Sequence, residues 1–502
     1  MLSFTPASTG QVSALRKVTA FMALLAGIAL LFADVEINSA SPWFEIQLMA
    51  KGFSQPAFMD LSTLSEALFT TLAFAFQGVF VGAILGFIMA LGFGSVWVRA
   101  FAAFIRSIHE LFWALLFIQI SGLSALTGFL AILIPFTGIF AKVFAEILEE
   151  ADHAPERTLN PTTSYLSRLF YSRIIMAWPQ LSAYGRYRLE CAIRSSAVLG
   201  FVGLPTLGFE MESYFKQGEY AHGAGLLYVF FILIATLKYW VKPILFPIYG
   251  ILAFVYLPPV ANIQWPLVKT FLSHDIVPLS LQQGDTAGFL AWLQFLWQTQ
   301  IAQGLVNTLL LSQVALILTG LLALMLFPFS SPLFFSKMPR ALGQTTLIVF
   351  RSSPEYLLAF VGLIIWGPSM LPAIIALTIH NGSVIAHLLA LQSQTLKFRA
   401  DASQGLNLYF FEALPRLYGN FVALLLYRWE IILRETAILG MLGIPTLGFY
   451  IDSAFEEIRF DRAILLILVT ALLNIIVDHV ARYLRHQLHV SAVPESLWIR
   501  LR

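Results

Sequence analysis

Two long uncharged segments constrain the fold of this chain more than any other feature. Residues 67–93 and 305–329 contain no Asp, Glu, Lys or Arg, and each segment exceeds the roughly 20 apolar residues that a helix needs to cross a bilayer. Only 12% of all residues are charged, against about 25% in a soluble globular chain, so a water-soluble fold is excluded. The segments lack the apolar/polar alternation of a membrane β-barrel. The sequence therefore predicts an all-α integral membrane protein.

The basic residues predict how the helices cross the membrane. We place Arg16 and Lys17 in the cytoplasm and keep them on a retained first helix, since no clear signal-peptide cleavage site follows. Alternation at each apolar span then puts most of the 30 Lys and Arg residues on the cytoplasmic side, as the positive-inside rule requires. The expected location is a bacterial inner (cytoplasmic) membrane, with several passes and both termini in the cytoplasm.

The uncharged stretch 111–141 tests the number of spans. A single pass would place the basic segment that follows it outside, so we predict a hairpin broken near Gly122 and Gly128. The segment before it, residues 94–106, is predicted to be a loop, and in the second half the corresponding break falls at residues 366–372. This gives about six spans per half and about twelve transmembrane helices in all.

An internal repeat links the two halves of the chain. The segment YRLECAIRSSAVLGFVGLPTLGF, which begins at Tyr187, recurs as YRWEIILRETAILGMLGIPTLGF from Tyr427, an offset of 240 residues. Weaker matches occur at an offset of 245 residues, where Glu110 corresponds to Glu355. The repeated segment, which we call the charged block, keeps its charged residues in both copies, although charge within an apolar helix costs free energy.

The repeat also predicts the domain organisation. Each half has the same order of elements: a first helix, an external loop, three spans, a basic cytoplasmic loop, the charged block and a last helix. An even number of spans per unit gives two parallel six-helix repeats, related by a pseudo-twofold axis along the membrane normal. We assign residues 1–242 to the first unit and residues 243–502 to the second.

Paired charges and glycines in the charged block are the candidate functional residues. Glu190 and Arg194 are spaced i,i+4, which places them on one helix face. Such a pair either clamps this helix to its neighbours or, with Arg188, lines a path that favours an anion. The glycines that follow serve either as a gate or as close helix contacts. The candidate path or gate residues are Arg188, Glu190, Arg194, Gly200, Gly203, Arg428, Glu430, Arg434, Gly440 and Gly443.

Metal, redox and catalytic chemistry receive little support from the sequence. The single cysteine, Cys191, has no partner for an internal disulfide, and the histidines show no metal-ligand spacing, so we expect neither a metal nor a cofactor. His380 and Asn381, with His387, are the nearest approach to a catalytic cluster, and the first half has no matching set. The phosphate-binding pattern GxxxxGK[ST] is absent from the sequence. A membrane enzyme is therefore a minor alternative.

Two cytoplasmic segments, residues 149–178 and 392–414, precede the two copies of the charged block. They mix charged and aromatic residues, and we predict that they dock a soluble partner. In the second segment, residues 399–415 are expected to form a short helix, a turn at Gly405 and a chain that returns to the membrane at Pro415.

The charged block and these segments resemble the phosphonate-type branch of ABC importer permeases. Members of that family have a Y-R-x-E-x-x-x-R-x-x-x-x-L-G-x-x-G block after a cytoplasmic E-A-A, three-residue, G loop. Here the loop pattern is eroded, because Arg399, Ala400 and Asp401 stand before Gly405. The resemblance implies a type I importer permease fold with two units fused in one chain. It assigns ATPase coupling to Glu156, Arg157, Arg168, Pro179, Arg399, Ala400, Asp401, Gly405 and Pro415.

The same resemblance implies partners and cargo. We expect separate ABC ATPase subunits on the cytoplasmic side, a periplasmic solute-binding protein and membrane lipid, with no nucleic acid. The cargo would be a small oxyanion, with phosphonate, phosphite and phosphate left open. The alternative is a secondary transporter of major-facilitator type, which shares a six-plus-six architecture. Residues 94–106 lack the loop signature of that class.

Overall fold

The computed structural model describes residues 9–151, 159–160, 162–398, 401–488 and 490, and the secondary structure within these ranges is helical. The helices of the first half are α1 (Thr9–Phe32), α2 (Pro42–Ser54), α3 (Leu61–Leu91), α4 (Val96–Ser107), α5 (Glu110–Ser121), α6 (Ala125–Glu150), α7 (Tyr165–Arg168), α8 (Ile174–Val198), α9 (Leu207–Lys216) and α10 (Tyr220–Trp240). Those of the second half are α11 (Phe246–Tyr256), α12 (Trp265–Thr270), α13 (Leu279–Gln282), α14 (Thr286–Leu296), α15 (Ala302–Ser330), α16 (Lys337–Ser352), α17 (Glu355–Trp366), α18 (Met370–Ser393), α19 (Leu414–Leu439), α20 (Leu447–Glu456) and α21 (Phe460–Gln487).

The number of membrane-capable helices lies between seven and eleven. Within the described residues, seven helices are long and apolar enough to cross a bilayer, and the number rises to eleven if each of four bent helix pairs counts as one span. The chain is thus an all-α, multi-pass membrane protein. The predicted total of about twelve is not confirmed, because α11 belongs to a shorter apolar segment, Pro243–Tyr256.

Both long uncharged segments form single long helices. Residues 67–93 lie almost entirely in α3, and residues 305–329 lie within α15. Asp60 precedes α3 and caps its N-terminus. Its carboxylate accepts hydrogen bonds from the Ser62 hydroxyl at 2.5 Å and from the Thr63 backbone N–H at 3.0 Å. These bonds satisfy part of the unpaired helix N-terminus and hold the pKa of Asp60 down at about 2.

The segment between α3 and α6 differs from its prediction. The expected loop at residues 94–106 is mostly helix α4, which turns by 87° into α5. The hairpin break falls at Gly122, whose φ is +64°, whereas Gly128 lies inside α6. A Cβ on Gly128 would come within 2.5 Å of the Phe74 ring, so this glycine allows close helix contact and does not break the helix. Helix α5 has 12 residues, about 18 Å, which is too short to cross a bilayer alone.

The chain divides into two compact units, and their boundaries are not those of the repeat. One unit comprises Lys51–Phe271, and the other, which we call the composite unit, comprises the described parts of 1–50 and 272–501. The Lys51–Phe271 unit therefore contains α11, which was predicted to begin the second repeat, while the composite unit contains α1. With the predicted boundary at residues 242 and 243, each unit combines the first helix of one half with most of the other half.

In each unit, a buried glutamine binds a helix that comes from the other half of the sequence. In the Lys51–Phe271 unit, Gln77 Nε2 on α3 donates hydrogen bonds to the carbonyl oxygens of Ala253 at 2.9 Å and Leu257 at 2.6 Å. In the composite unit, Gln313 Nε2 on α15 donates to the carbonyl of Met22 at 3.0 Å. Both amides are buried, so each bond fixes the position of a first helix in an apolar environment.

Candidate functional site: the charged block

Both copies of the charged block fold into the same broken helix. In the first copy, α8 ends in a 3-10 turn, Leu199–Val202, and the chain resumes as α9 with a bend of 51°. In the second copy, α19 ends in the turn Gly440–Leu442 and resumes as α20 with a bend of 44°. The two breaks lie at the repeated Pro-Thr dipeptides, since proline removes a backbone donor and disfavours helix at the residue before it.

The repeated glycines explain how the chain makes this break. Gly203 and Gly443 have φ values of +92° and +85°, a left-handed conformation that glycine adopts without strain. Gly200 and Gly440 are buried, and a Cβ on either would overlap the backbone nitrogen of Phe209 or of Phe449, respectively. The first pair therefore ends the helix, and the second pair allows the short helix to return against it.

A threonine from a neighbouring helix anchors each break. The Leu207 backbone N–H, at the start of α9, donates to Thr71 Oγ1 at 2.9 Å. The Leu447 N–H, at the start of α20, donates to Thr308 Oγ1 at 3.1 Å. Thr71 and Thr308 are buried on α3 and α15, respectively. The first orphan donor of each short helix is thus satisfied by a side chain instead of water.

The repeated arginines Arg188 and Arg428 have different surroundings. Arg188 is half-buried, donates from Nε to the Tyr184 hydroxyl at 2.6 Å, and places its guanidinium 5.1 Å and 5.4 Å from the ring centroids of Tyr184 and Tyr187. Arg428 is buried and donates to Asn381 Oδ1 at 3.2 Å. Aromatic rings stabilise a guanidinium through its planar face, in a cation–π contact. An amide oxygen instead accepts a hydrogen bond from an N–H at the edge of the guanidinium.

Asn381 links two buried charged residues in the second copy. Its Nδ2 donates to Glu435 Oε2 at 2.8 Å, while its Oδ1 accepts from Arg428. All three residues have less than 9% of their surface exposed, so one amide supplies hydrogen-bond partners to both buried side chains.

The same region brings together three residues of metal-ligand type. Glu355, His380 and Glu435, on α17, α18 and α19, offer ligand atoms that lie within 4.8 Å of one another. His380 Nδ1 lies 3.0 Å from the Ser353 carbonyl oxygen, which favours a proton on that nitrogen. Sequence spacing did not predict this group, because its members come from three different helices. Asn381, which donates to Glu435, accepts a hydrogen bond from the positively charged Arg428.

The first copy has a related but smaller polar group. The Ser195 hydroxyl donates to Glu110 Oε1, and His109 Nε2 lies 3.5 Å from Glu110 Oε2. Ser195 corresponds to Glu435 in the repeat, and Glu110 corresponds to Glu355. In each copy, a residue of the block lies near the glutamate at the start of a short helix, α5 or α17. In the second copy the block residue is itself a glutamate, so the carboxyl groups of Glu355 and Glu435 lie close together.

The i,i+4 pairs predicted in the block lie on continuous helix in both copies. Glu190 and Arg194 are half-buried on α8, and Glu430 and Arg434 are half-buried on α19. Arg194 Nη2 also lies 3.7 Å from Cys191 Sγ. The structure thus places each pair on one helix face, as predicted. A role in a path or in a clamp stays a prediction.

The predicted coupling segments are more helical than expected. Residues 165–178 are helical up to and into α8, with Arg168 at the end of α7 and Pro179 inside α8. The turn at Gly405 is present, with φ of +63°, but residues 401–404, including Asp401, are not helical. The short helix predicted before Gly405 is therefore wrong for these residues. Pro415 lies in the first turn of α19, which tolerates proline.

Four of the predicted coupling residues lie outside the described residues: Glu156, Arg157, Arg399 and Ala400. The described parts of both segments share one further feature, a π-helical turn at Leu169–Arg173 and at Leu408–Ala413. Such turns are rare and occur often at functional sites.

Comparison with known proteins places this architecture among transport permeases. The chain is 24% identical over 424 residues to the phosphate-import permease protein PhnE of Mycolicibacterium smegmatis, and the match covers 78% of this chain and 77% of that protein. It is 28% identical to the phosphite transport system permease protein PtxC of Stutzerimonas stutzeri, over 35% of this chain and 67% of that protein.

A third similar protein is the cryptic phosphonate transport system permease protein PhnE2 of Escherichia coli, which is 24% identical over 22% of this chain and 91% of that protein. No family model and no solved structure matches the chain. The predicted resemblance to phosphonate-type permeases is therefore confirmed by relatives with permease names, and it supports a transport permease.

Sequence reasoning missed several residues of the site. Asn381 and His380 were not predicted to contact the charged block, and Glu435, which lies beside Arg434 in the block, was not among the candidate residues. The one usable signal was the match of Glu110 with Glu355 at an offset of 245 residues. A glutamate kept in both halves of an apolar chain marks a polar contact, but its partners do not follow from its position.

Proposed function

We propose that this chain is the translocation subunit of an ATP-driven importer for a small oxyanion such as phosphate, phosphite or a phosphonate. The single observation that carries the proposal is the match to PhnE, which extends over most of both chains. A separate ATPase supplies the energy, and a periplasmic solute-binding protein delivers the cargo. The chain acts in a bacterial inner membrane with both termini in the cytoplasm.

The proposal includes two fused permease units, residues 1–242 and 243–502. Its support is the duplicated broken helix, together with the PtxC match, which covers most of that protein but only 35% of this chain. Counting the segment Pro243–Tyr256 as the first membrane segment of the second unit, and α5 and α17 as the inserted parts of their bent pairs, brings the eleven candidate segments to twelve. The two-unit chain then replaces a pair of single-unit subunits.

The charged block is the proposed path and gate. Arg188 and Arg428 are repeated guanidinium groups near the middle of the block helices, and a guanidinium is suited to a tetrahedral oxyanion because its donors are planar and always charged. The breaks at Gly203 and Gly443 provide the points at which each helix can change its bend. The segments around Arg168 and Gly405 are proposed to contact the ATPase.

Reconstitution with candidate partners tests the proposed function. The chain is co-expressed with candidate ATPase and binding-protein genes and placed in proteoliposomes. We expect ATP turnover to rise when binding protein loaded with oxyanion is added. Uptake driven by a proton gradient without any ATPase would contradict the proposal and favour a secondary transporter.

Paired substitutions test the role of the block. Arg188→Gln is expected to abolish uptake while the complex still assembles, whereas Arg428→Gln also removes the contact with buried Asn381 and is expected to lower stability as well. Arg186→Gln is the matched control, because Arg186 lies two residues earlier on α8 and has Leu426 at the corresponding position. The pair Arg194→Gln and Arg434→Gln separates two roles: loss of uptake with intact assembly supports a path, whereas loss of assembly supports a clamp.

A further inference from the structure

Two short helices, α4 and α16, stand at right angles to the helices that follow them. Helix α4 turns by 87° into α5, and α16 turns by 91° into α17. A helix perpendicular to a membrane-inserted neighbour lies along the plane of the membrane. Neither α4 nor α16 contains Asp or Glu.

Helix α4 has three distinct sides. Trp97 and Phe101, spaced i,i+4, are 84% and 56% exposed. Arg99 is two residues from Trp97, which places it about 200° around the helix, on the opposite side. Between these two sides lie the buried residues Ala102 and Ile105, which contact α6 at Gly138. Helix α4 thus has an apolar side, a basic side opposite it, and a protein-facing side at about right angles to both. This arrangement is typical of a helix that lies at the membrane interface.

Helix α16 has a related but simpler arrangement. Met338 and Leu342 are spaced i,i+4 and are 80% and 72% exposed. Arg340 follows Met338 by two residues and so lies on the opposite side, together with Arg351. Buried Leu347 lies nine residues after Met338, about 180° around the helix, so it is on the same side as Arg340. Helix α16 therefore shares with α4 an exposed apolar side that faces away from its arginines.

A shallow apolar groove adjoins α4. It lies between the end of α3 and the start of α4 and is lined by Ile88, Met89, Gly92, Trp97, Val98 and Phe101. No acidic residue occurs between positions 67 and 109, and Arg99 and Arg106 lie on the side of α4 that faces away from the groove residues Trp97 and Phe101. The groove suits an acyl chain, and the arginines suit an anionic headgroup.

We propose that α4 and α16 are interfacial helices that bind anionic phospholipid, with an acyl chain against Trp97 and Phe101 and the headgroup at Arg99 and Arg106. The proposal needs only that the chain spans a membrane, and it stands whether or not the cargo is an oxyanion. Its occupant is a lipid because the exposed apolar side and the basic side of each helix face apart, as the acyl and headgroup regions of a bilayer do.

Spin labelling tests the orientation of α4. In a Cys191→Ser background, single cysteines at positions 97, 99, 101 and 102 of the full chain carry nitroxides in phospholipid vesicles. We expect positions 97 and 101 to collide more with oxygen than with a water-soluble nickel chelate, position 99 to show the reverse, and position 102 to be protected from both. Greater exposure of position 97 to nickel than to oxygen would overturn the proposal.

Lipid binding tests the charge preference. The dissociation constants of phosphatidylglycerol and phosphatidylcholine with the same acyl chains are measured on the purified chain by native mass spectrometry. Arg99→Gln with Arg106→Gln is expected to weaken phosphatidylglycerol binding about 5-fold for each arginine, roughly 25-fold together. Lys51→Gln with Lys269→Gln removes the same charge from exposed positions elsewhere and is expected to change binding less than about 2-fold.

A conservative variant separates charge from folding. Arg99→Lys with Arg106→Lys keeps the positive charge and is expected to restore most of the phosphatidylglycerol affinity. Equal affinity for the two lipids in the unmodified chain would overturn the charge preference. An equal loss with the lysine control would do so as well, since it would show that total charge and not α4 attracts the lipid.

Discussion

Asn381 forms hydrogen bonds with the buried side chains of both Arg428 and Glu435, so its replacement is expected to destabilise the composite unit strongly. Asn381→Leu keeps a similar volume but removes an acceptor 3.2 Å from Arg428 and a donor 2.8 Å from Glu435. Each hydrogen bond to a charged group contributes about 1.5–3 kcal/mol, and broken buried pairs cost about 3–5 kcal/mol. We therefore expect a loss of about 3–5 kcal/mol, a large part of a typical stability of about 5–15 kcal/mol.

The assay is equilibrium unfolding of the purified chain in mixed detergent micelles. Asn307→Leu is the matched control, because Asn307 makes one hydrogen bond, to the uncharged carbonyl of Pro445 at 2.7 Å, and its loss is expected to cost about 1 kcal/mol. Arg428→Met completes a double-mutant cycle with Asn381→Leu. The expected interaction free energy is about 1.5–3 kcal/mol, because the two residues share one contact.

Two results would refute this reasoning. If Asn381→Leu cost no more than Asn307→Leu, the amide would not be stabilising the two buried side chains. If the free energies of unfolding of the double variant were additive within about 0.5 kcal/mol, Arg428 would not depend on Asn381.

Three further outcomes are expected. Gly200→Ala and Gly440→Ala should each destabilise the chain by about 1–3 kcal/mol, because the added Cβ overlaps the returning helix. Gly185→Ala should instead stabilise α8 by about 0.5–1 kcal/mol, because an added Cβ there meets no other atom. Equal melting-temperature shifts of the three variants would contradict this. Because the folded-state pKa of Asp60 is lowered to about 2 from 3.8, its contribution is complete above pH 3.8 and is lost as pH falls through 2, so Asp60→Asn should flatten the acid limb of a thermal-shift profile. Gln313→Leu should loosen α1, seen as faster amide hydrogen exchange around Met22, while Asn474→Leu should not.

The sequence was a good guide to the helices of the charged block and a poor guide to the segments around them. The block was predictable because its two copies share charged residues, glycines and the Pro-Thr break at a constant offset. Helix α4 was predicted as a loop because its arginines interrupt an apolar run, whereas the structure shows a helix whose Ala102 and Ile105 pack against Gly138 of α6.

The length of the uncharged segments by itself determined that this is a helical membrane protein. That inference holds because a backbone segment in lipid must pair its own polar groups, whatever its neighbours are. The tertiary structure alone decided which helices form each compact unit and which polar residues meet. Asn381 reaches Arg428 across 47 residues and Glu435 across 54 residues. Contacts at such separations depend on how helices pack, and no local spacing in the sequence records them.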